Sequence, residues 1–164
     1  MNGIGLFFKK HEWNGYIHDT CVVAFRKVLD EKGMVCIPSN IPASKVLQKN
    51  LVEITFTAGF YRKADNCCIG YRCAVKECTS LKESSYVPDD YKEFVPQILK
   101  DSQARTWYLV SDMNVVNVAN LEDRIVDKNG YVTCEETLKG RLFSDGEMRK
   151  VKGMYKLLYR VERE

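Results

Sequence analysis

Val52-Glu53-Ile54-Thr55-Phe56-Thr57-Ala58-Gly59-Phe60 sets apolar or small residues at every second position, and Ile69-Gly70-Tyr71-Arg72-Cys73-Ala74-Val75-Lys76-Glu77-Cys78 does the same a few residues later. A period of two is the repeat of a strand with one buried face, whereas a helix would scatter these residues around its circumference. Arg62–Asn66 between them is short and polar. The pair reads as a β-hairpin, Val52–Phe60 and Ile69–Cys78, around which the rest of the chain is organised.

Working outward, Ile4–Phe8 is short and apolar and reads as a first strand. His11–Tyr16 is a loop carrying Trp13 and Tyr16, with Asn14-Gly15 as a turn signal. Asp19 or Thr20 is placed to cap a helix whose apolar positions are Val22, Phe25, Val28 and Leu29, and Gly33 ends it. Met34–Ile37 reads as a short strand, Pro38 and Pro42 bracket a loop, and Ser44–Gln48 reads as a turn or short helix. Beyond the hairpin, Thr79–Arg105 is a long polar connection with Pro88, Pro96, Tyr86, Tyr91 and Phe94, and with short helical turns at Asp89–Val95 and Gln97–Lys100. Thr106–Ser111 reads as a strand with Trp107 and Leu109 on one side. Val115–Val126 mixes strand and turn, and Asn129-Gly130 is a turn signal before Tyr131–Cys134. Val151–Val161 alternates again: Tyr155, Leu157 and Tyr159 fall on one face, and Lys150, Lys152, Lys156 and Arg160 on the other. These elements predict one α+β domain over residues 1–164.

Of the 164 residues, 45% are hydrophobic and 29% charged, a composition that excludes a disordered or low-complexity chain. No apolar run approaches the roughly 18–20 residues of a membrane helix, so no spanning segment is expected. The first residues place charge after a short apolar stretch, the reverse of a secretory signal, which predicts a cytoplasmic protein. Seven cysteines in such a chain read as reduced thiols packed as small hydrophobes. Cys68, Cys73 and Cys78 recur at an offset that places successive members on opposite faces of a regular strand, so no metal site is expected. The net charge of +3 is unevenly spread: residues 1–63 carry +4, residues 64–138 carry −5 and residues 139–164 carry +4. A basic surface therefore requires the two ends of the chain to meet.

No catalytic signature is present. His11 and His18 are the only histidines. His18 lies near Asp19 and Cys21, yet Cys21 falls in a first helical turn without an identified base or oxyanion donors. The acidic pairs Asp89-Asp90, Glu122-Asp123 and Glu135-Glu136 are adjacent and, on a strand, point to opposite faces. The expectation is a binding protein without a cofactor, not an enzyme. Loop aromatics at Trp13, Tyr16, Tyr86 and Tyr91 are candidates to stack on a base, and Arg62, Lys63, Lys150, Lys152 and Lys156 are candidates to hold a phosphate backbone.

Four stretches carry a family resemblance. Leu51–Tyr61 (LVEITFTAGFY), Cys68–Cys78 (CIGYRCAVKEC), Arg105–Val116 (RTWYLVSDMNVV) and Glu147–Arg160 (EMRKVKGMYKLLYR) together resemble the PUA-like superfamily, in its YTH and EVE branches. The resemblance implies a small mixed β-barrel flanked by helices, with Trp107 as its core tryptophan. It further implies capture of a flipped, modified base in an aromatic cage contributed by Trp13 and by Tyr86 or Tyr91. The expected partner is DNA or RNA, methylated in some cases, and the expected setting is the reader part of a modification-dependent restriction system, within a larger nuclease or motor assembly. The alternative expectation is a protein-interaction module of a phage, viral or defence system, using the acidic middle third. A small hydrolase or transferase with an unrecognised site is a third.

Overall fold

The computed structural model describes the backbone at residues 2–7, 12–13, 16–40, 43–62, 67–117, 143–144, 147–148 and 155–160. Apart from Gly3, side-chain environments are described at residues 20–40, 43–45, 48–56 and 70–117. Arg62 and Lys156 are therefore placed by backbone alone. Lys63, Lys150, Lys152 and the expected elements at Tyr131–Cys134 and over residues 151–154 lie outside the described residues.

The expected hairpin is the centre of the sheet. Strands β5 (Leu51–Arg62) and β6 (Cys67–Ser85) pair antiparallel, with Ile54 opposite Cys73 and Phe56 opposite Tyr71. Phe56 and Tyr71 keep the contact their register implies, with ring centroids 5.5 Å apart. On the other side of β5 runs β1 (Asn2–Phe7), parallel to it, and outside β1 lies β11 (Tyr155–Arg160), antiparallel. Beyond β6 come β7 (Ala104–Val110) and then β4 (Val35–Ser39). With β8 (Asn114–Asn117) on β6, these form one seven-stranded sheet. It is curled, mostly antiparallel and flanked by helices, an α+β half-barrel. The pairing of β1 with β11 makes the two positively charged ends of the chain neighbours in the sheet.

β6 is 19 residues long because it serves different partners along its length. Cys67–Ala74 pairs with β5, Ile69–Arg72 also pairs with β8, and Val75–Ser85 pairs with β7. The change from β8 to β7 is fixed at Ala74: its N–H donates to Asp112 Oδ1 at 2.6 Å, and its carbonyl accepts from the Ser111 N–H at 3.0 Å. Pairing skips Lys76, since Val75 is opposite Val110 and Glu77 opposite Leu109. Such a bulge inverts the facing of everything after it. Cys73 and Cys78 consequently pack against the same hydrophobic cluster, which corrects the opposite-face expectation for a regular strand. Thr79–Ser85, expected to be loop, continues the strand: Thr79, Ser80 and Ser85 have register partners on β7, with a shift between Ser80 and Ser85.

Both faces of β7 are covered. Tyr108 and Val110 join Cys21, Phe25, Leu29, Ile37, Ile54 and Phe56 in one cluster, and Trp107 and Leu109 join Cys36, Val87, Tyr91 and Ala104 in another. Helix α1 (His18–Lys32) covers the first cluster with Cys21, Phe25 and Leu29, residues four apart and therefore on one stripe. Each large apolar side chain so buried contributes roughly 1.5–3 kcal/mol. The helix begins at His18, so Asp19 and Thr20, expected as caps, lie inside its first turn instead. It ends at Gly33, whose N–H still donates to the Leu29 carbonyl at 2.8 Å and whose φ of 78° then turns the chain out of the helix. A second helix, α2 (Lys45–Asn50), leads into β5. Pro38 lies inside β4 instead of bounding a loop; β4 pairs with β7 alone among the described strands, and an edge strand tolerates proline. The remaining described strands are short pairs, β2 (Glu12–Trp13) with β3 (Tyr16–Ile17), and β9 (Phe143–Ser144) with β10 (Glu147–Met148). Among the described residues no helix is long and apolar enough to cross a membrane.

Candidate functional site

The segment after β6 is built from two 3-10 turns, Asp89–Phe94 and Gln97–Leu99. Each is preceded by a proline, Pro88 and Pro96, with φ −57° and ψ 145°. Their carbonyls accept from the N–H groups of Tyr91 and Leu99 at 2.9 Å, closing each turn. A proline fixes the entry angle and lacks only an N–H that the turn does not use. One apolar residue anchors each turn: Tyr91 and Leu99 are both buried. The polar residues between are left facing solvent.

These anchors separate the two tyrosines nominated in this segment. Tyr91 is 4% exposed and packs among Cys36, Val87, Ala104, Trp107 and Leu109. Its hydroxyl lies 3.1 Å from Thr79 Oγ1, and burial raises its pKa. A ring so enclosed has no face to offer a base, so the expectation that Tyr91 binds one is corrected: it is a core residue. Tyr86 is 58% exposed. Its backbone is held on both sides, since Ser85 is in register with Ala104 and Val87 is buried. It is thus an exposed ring on a fixed stem. Trp107 is fully buried, as expected of a core tryptophan.

Two clefts adjoin Tyr86 and the turns. The first, of about 410 Å3, is lined by Tyr86, Val87, Lys92, Lys100 and Asp101. The second, of about 510 Å3, lies between α1 and the turns, with Val28, Val95, Pro96 and Ile98 as its apolar lining and Lys27, Lys32, Lys92 and Lys100 as its cations. Both volumes are in the range of small-molecule sites. Glu31 and Glu93 also line the second cleft. Lys92 pairs with Asp89 at 2.6 Å across three residues, and the hydrogen bond and charge of that lysine lower the Asp89 pKa. Both partners are well exposed, so the pair holds Lys92 weakly and leaves it able to exchange partners. Among the described residues, no ion pair is found for Lys27, Lys32 or Lys100.

The other nominated residues fall elsewhere. Trp13 and Tyr16 are register partners in the β2–β3 pair, which runs directly into the N-terminus of α1. Arg62 is the last residue of β5, opposite Cys67. Lys156 stands opposite Leu6, in the row that continues through Phe56 and Tyr71. The structure thus brings Trp13 to Tyr16 and separates Tyr86 from Tyr91. Lys92, Lys100, Lys27 and Lys32 were not singled out from the sequence. Two of them sit in the acidic middle third, and their convergence depends on α1 packing against the turns.

At the four cysteines whose surroundings are described, thiol chemistry has little support. Burial pushes the Cys21 thiol up to about 11 and the Cys78 thiol up to about 12. Burial also raises Cys36 and Cys73, the former further by Cys78 and the latter further by Asp112 and Glu53 against a lowering by Arg26. At neutral pH these remain protonated and poor nucleophiles. Among the described residues no group of three His, Cys, Asp or Glu side chains is placed to hold a metal. No family model matches the chain, and neither a curated protein nor a solved structure matches it.

Proposed function

We propose that this protein is a non-catalytic nucleic-acid-binding domain of PUA-like type that reads a modified or flipped base. The observation that carries the proposal is Tyr86: an exposed aromatic ring on an anchored stem, in a cleft with Lys92 and Lys100. A nucleotide offers a flat base for the ring and a phosphate for the lysines that line the same cleft, and stacking of this kind contributes about 1–3 kcal/mol per base. Support also comes from the pairing of β1 with β11, which brings a strand from each of the two net-positive segments of the chain side by side. On this reading Arg62, Lys63, Lys150 and Lys152 neutralise backbone phosphates, and Trp13 with Tyr16 form a second aromatic element. The domain would then serve as the reader of a modification-dependent restriction assembly.

A panel of single- and double-stranded DNA and RNA oligonucleotides, methylated and unmodified, tests this by gel shift at low salt. Binding that Tyr86→Ala weakens by about 5- to 150-fold, the equivalent of the stacking term, supports the proposal. Absence of binding to every oligonucleotide would overturn it in favour of the protein-interaction module.

A further inference from the structure

We infer that the second cleft, between α1 and the two 3-10 turns, continues the Tyr86 site as a track for a single unpaired strand; the inference rests on the reading of Tyr86 as a base-stacking residue. Lys92 and Lys100 line both clefts, so a phosphate held between them belongs at once to a nucleotide stacked on Tyr86 and to the next one along. From there the cleft leads to Lys27 and Lys32 on α1, both exposed and neither found in an ion pair among the described residues. The lining between these cations is apolar: Val28, Val95, Pro96 and Ile98. A duplex turns its bases inward and presents charged phosphates outward, so it gains nothing from a recessed aliphatic surface. An unpaired strand does, because its bases and sugars are free to cover apolar groups while its phosphates meet the lysines. Glu31 and Glu93 limit the excess of positive charge in this cleft. The track therefore predicts modest electrostatic binding, not the steep salt dependence of a duplex-binding face.

The test compares wild type with Lys27→Ala/Lys32→Ala, which changes only exposed helix positions to a good helix former. Fluorescence anisotropy is measured with a 5′-phosphorylated thymidine dinucleotide and an eight-nucleotide oligothymidylate, between 50 and 200 mM salt. Two lysines give a single-strand slope of about −1.4 and four give about −2.8, so across that interval affinity falls by about 7-fold and about 50-fold respectively. Wild type is expected to show the smaller fall with the dinucleotide and the larger with the octamer. The variant is expected to bind the dinucleotide as wild type does and to show only about a 7-fold fall with the octamer. A variant that keeps the 50-fold fall overturns the track while leaving the Tyr86 site standing. Failure of even the dinucleotide and octamer to bind wild type overturns both. Equal binding of a duplex octamer, with the same dependence on Lys27 and Lys32, overturns the single-strand assignment. So does binding of a Glu- and Leu-containing peptide in place of the oligonucleotides.

Discussion

Tyr86 and Tyr91 lie five residues apart, and the structure gives them opposite consequences on substitution. Tyr91 is 4% exposed, so Tyr91→Ala removes a fully packed ring and leaves a cavity among Cys36, Val87, Trp107 and Leu109. Aromatic-to-alanine changes in such positions cost about 3–5 kcal/mol. Tyr91→Phe keeps the ring and removes only the hydroxyl that meets Thr79 Oγ1, a loss of about 1 kcal/mol. Tyr86→Ala changes an exposed side chain and should stay within about 0.5 kcal/mol of wild type. Urea unfolding followed by far-UV circular dichroism gives all three values. In a chain of this size about 1 kcal/mol corresponds to about 2–4 °C, so Tyr91→Ala should lower Tm by about 6–20 °C, Tyr91→Phe by about 2–4 °C, and Tyr86→Ala hardly at all. If Tyr91→Ala proved neutral, or Tyr86→Ala as damaging as Tyr91→Ala, the division into anchor and exposed ring would be wrong.

Native protein treated with iodoacetamide at pH 8 should leave Cys21, Cys36, Cys73 and Cys78 unmodified by peptide mass mapping, and all four should react once urea is added. The same thiols predict an alkaline limb in stability. Their folded pKa values lie above the ordinary 9.0, so their contribution is fully present below pH 9.0 and is lost as pH rises towards about 11 for Cys21 and about 12 for Cys78. Urea midpoints measured from pH 8 upward should therefore fall, and Cys21→Ala should flatten part of that fall. Gly33→Ala should destabilise by about 1–2 kcal/mol in the same assay: nothing lies within 4 Å of an added Cβ, so the cost is that of a φ of 78° alone. Asp112→Ala removes the acceptor for the Ala74 N–H where β6 changes partners, and a loss of about 1–3 kcal/mol is expected by thermal unfolding.

The hairpin was legible because β5 and the first part of β6 obey a strict period of two. The helix was legible for the same kind of reason, since Phe25 and Leu29 repeat at helical spacing and Gly33 supplies the stop. What escaped were features set by partners. Lys76 is skipped in the pairing of β6 with β7, and nothing local to Val75–Glu77 announces it. Thr79–Ser85 is too polar to read as strand, yet β7 pairs with its two ends, at Thr79-Ser80 and at Ser85. Tyr86 was legible as a loop aromatic, but its contrast with Tyr91 was not, because the spacing of two prolines and the burial of Val87 decide which ring turns inward. The cations at Lys27, Lys32, Lys92 and Lys100 come together only through tertiary packing of α1 on the turns. Charge counting along the chain pointed to the ends and missed them.

Photo-crosslinking tests the central claim most directly. An oligonucleotide carrying 5-iodouracil at successive positions, irradiated in complex with the protein and digested for mass spectrometry, reports which aromatic ring lies against a base. Crosslinks on the Tyr86 peptide, lost in Tyr86→Ala while the variant stays folded, are the predicted result. Crosslinks confined to Trp13 or Tyr16 with Tyr86 silent would contradict the account, as would a complex that yields none.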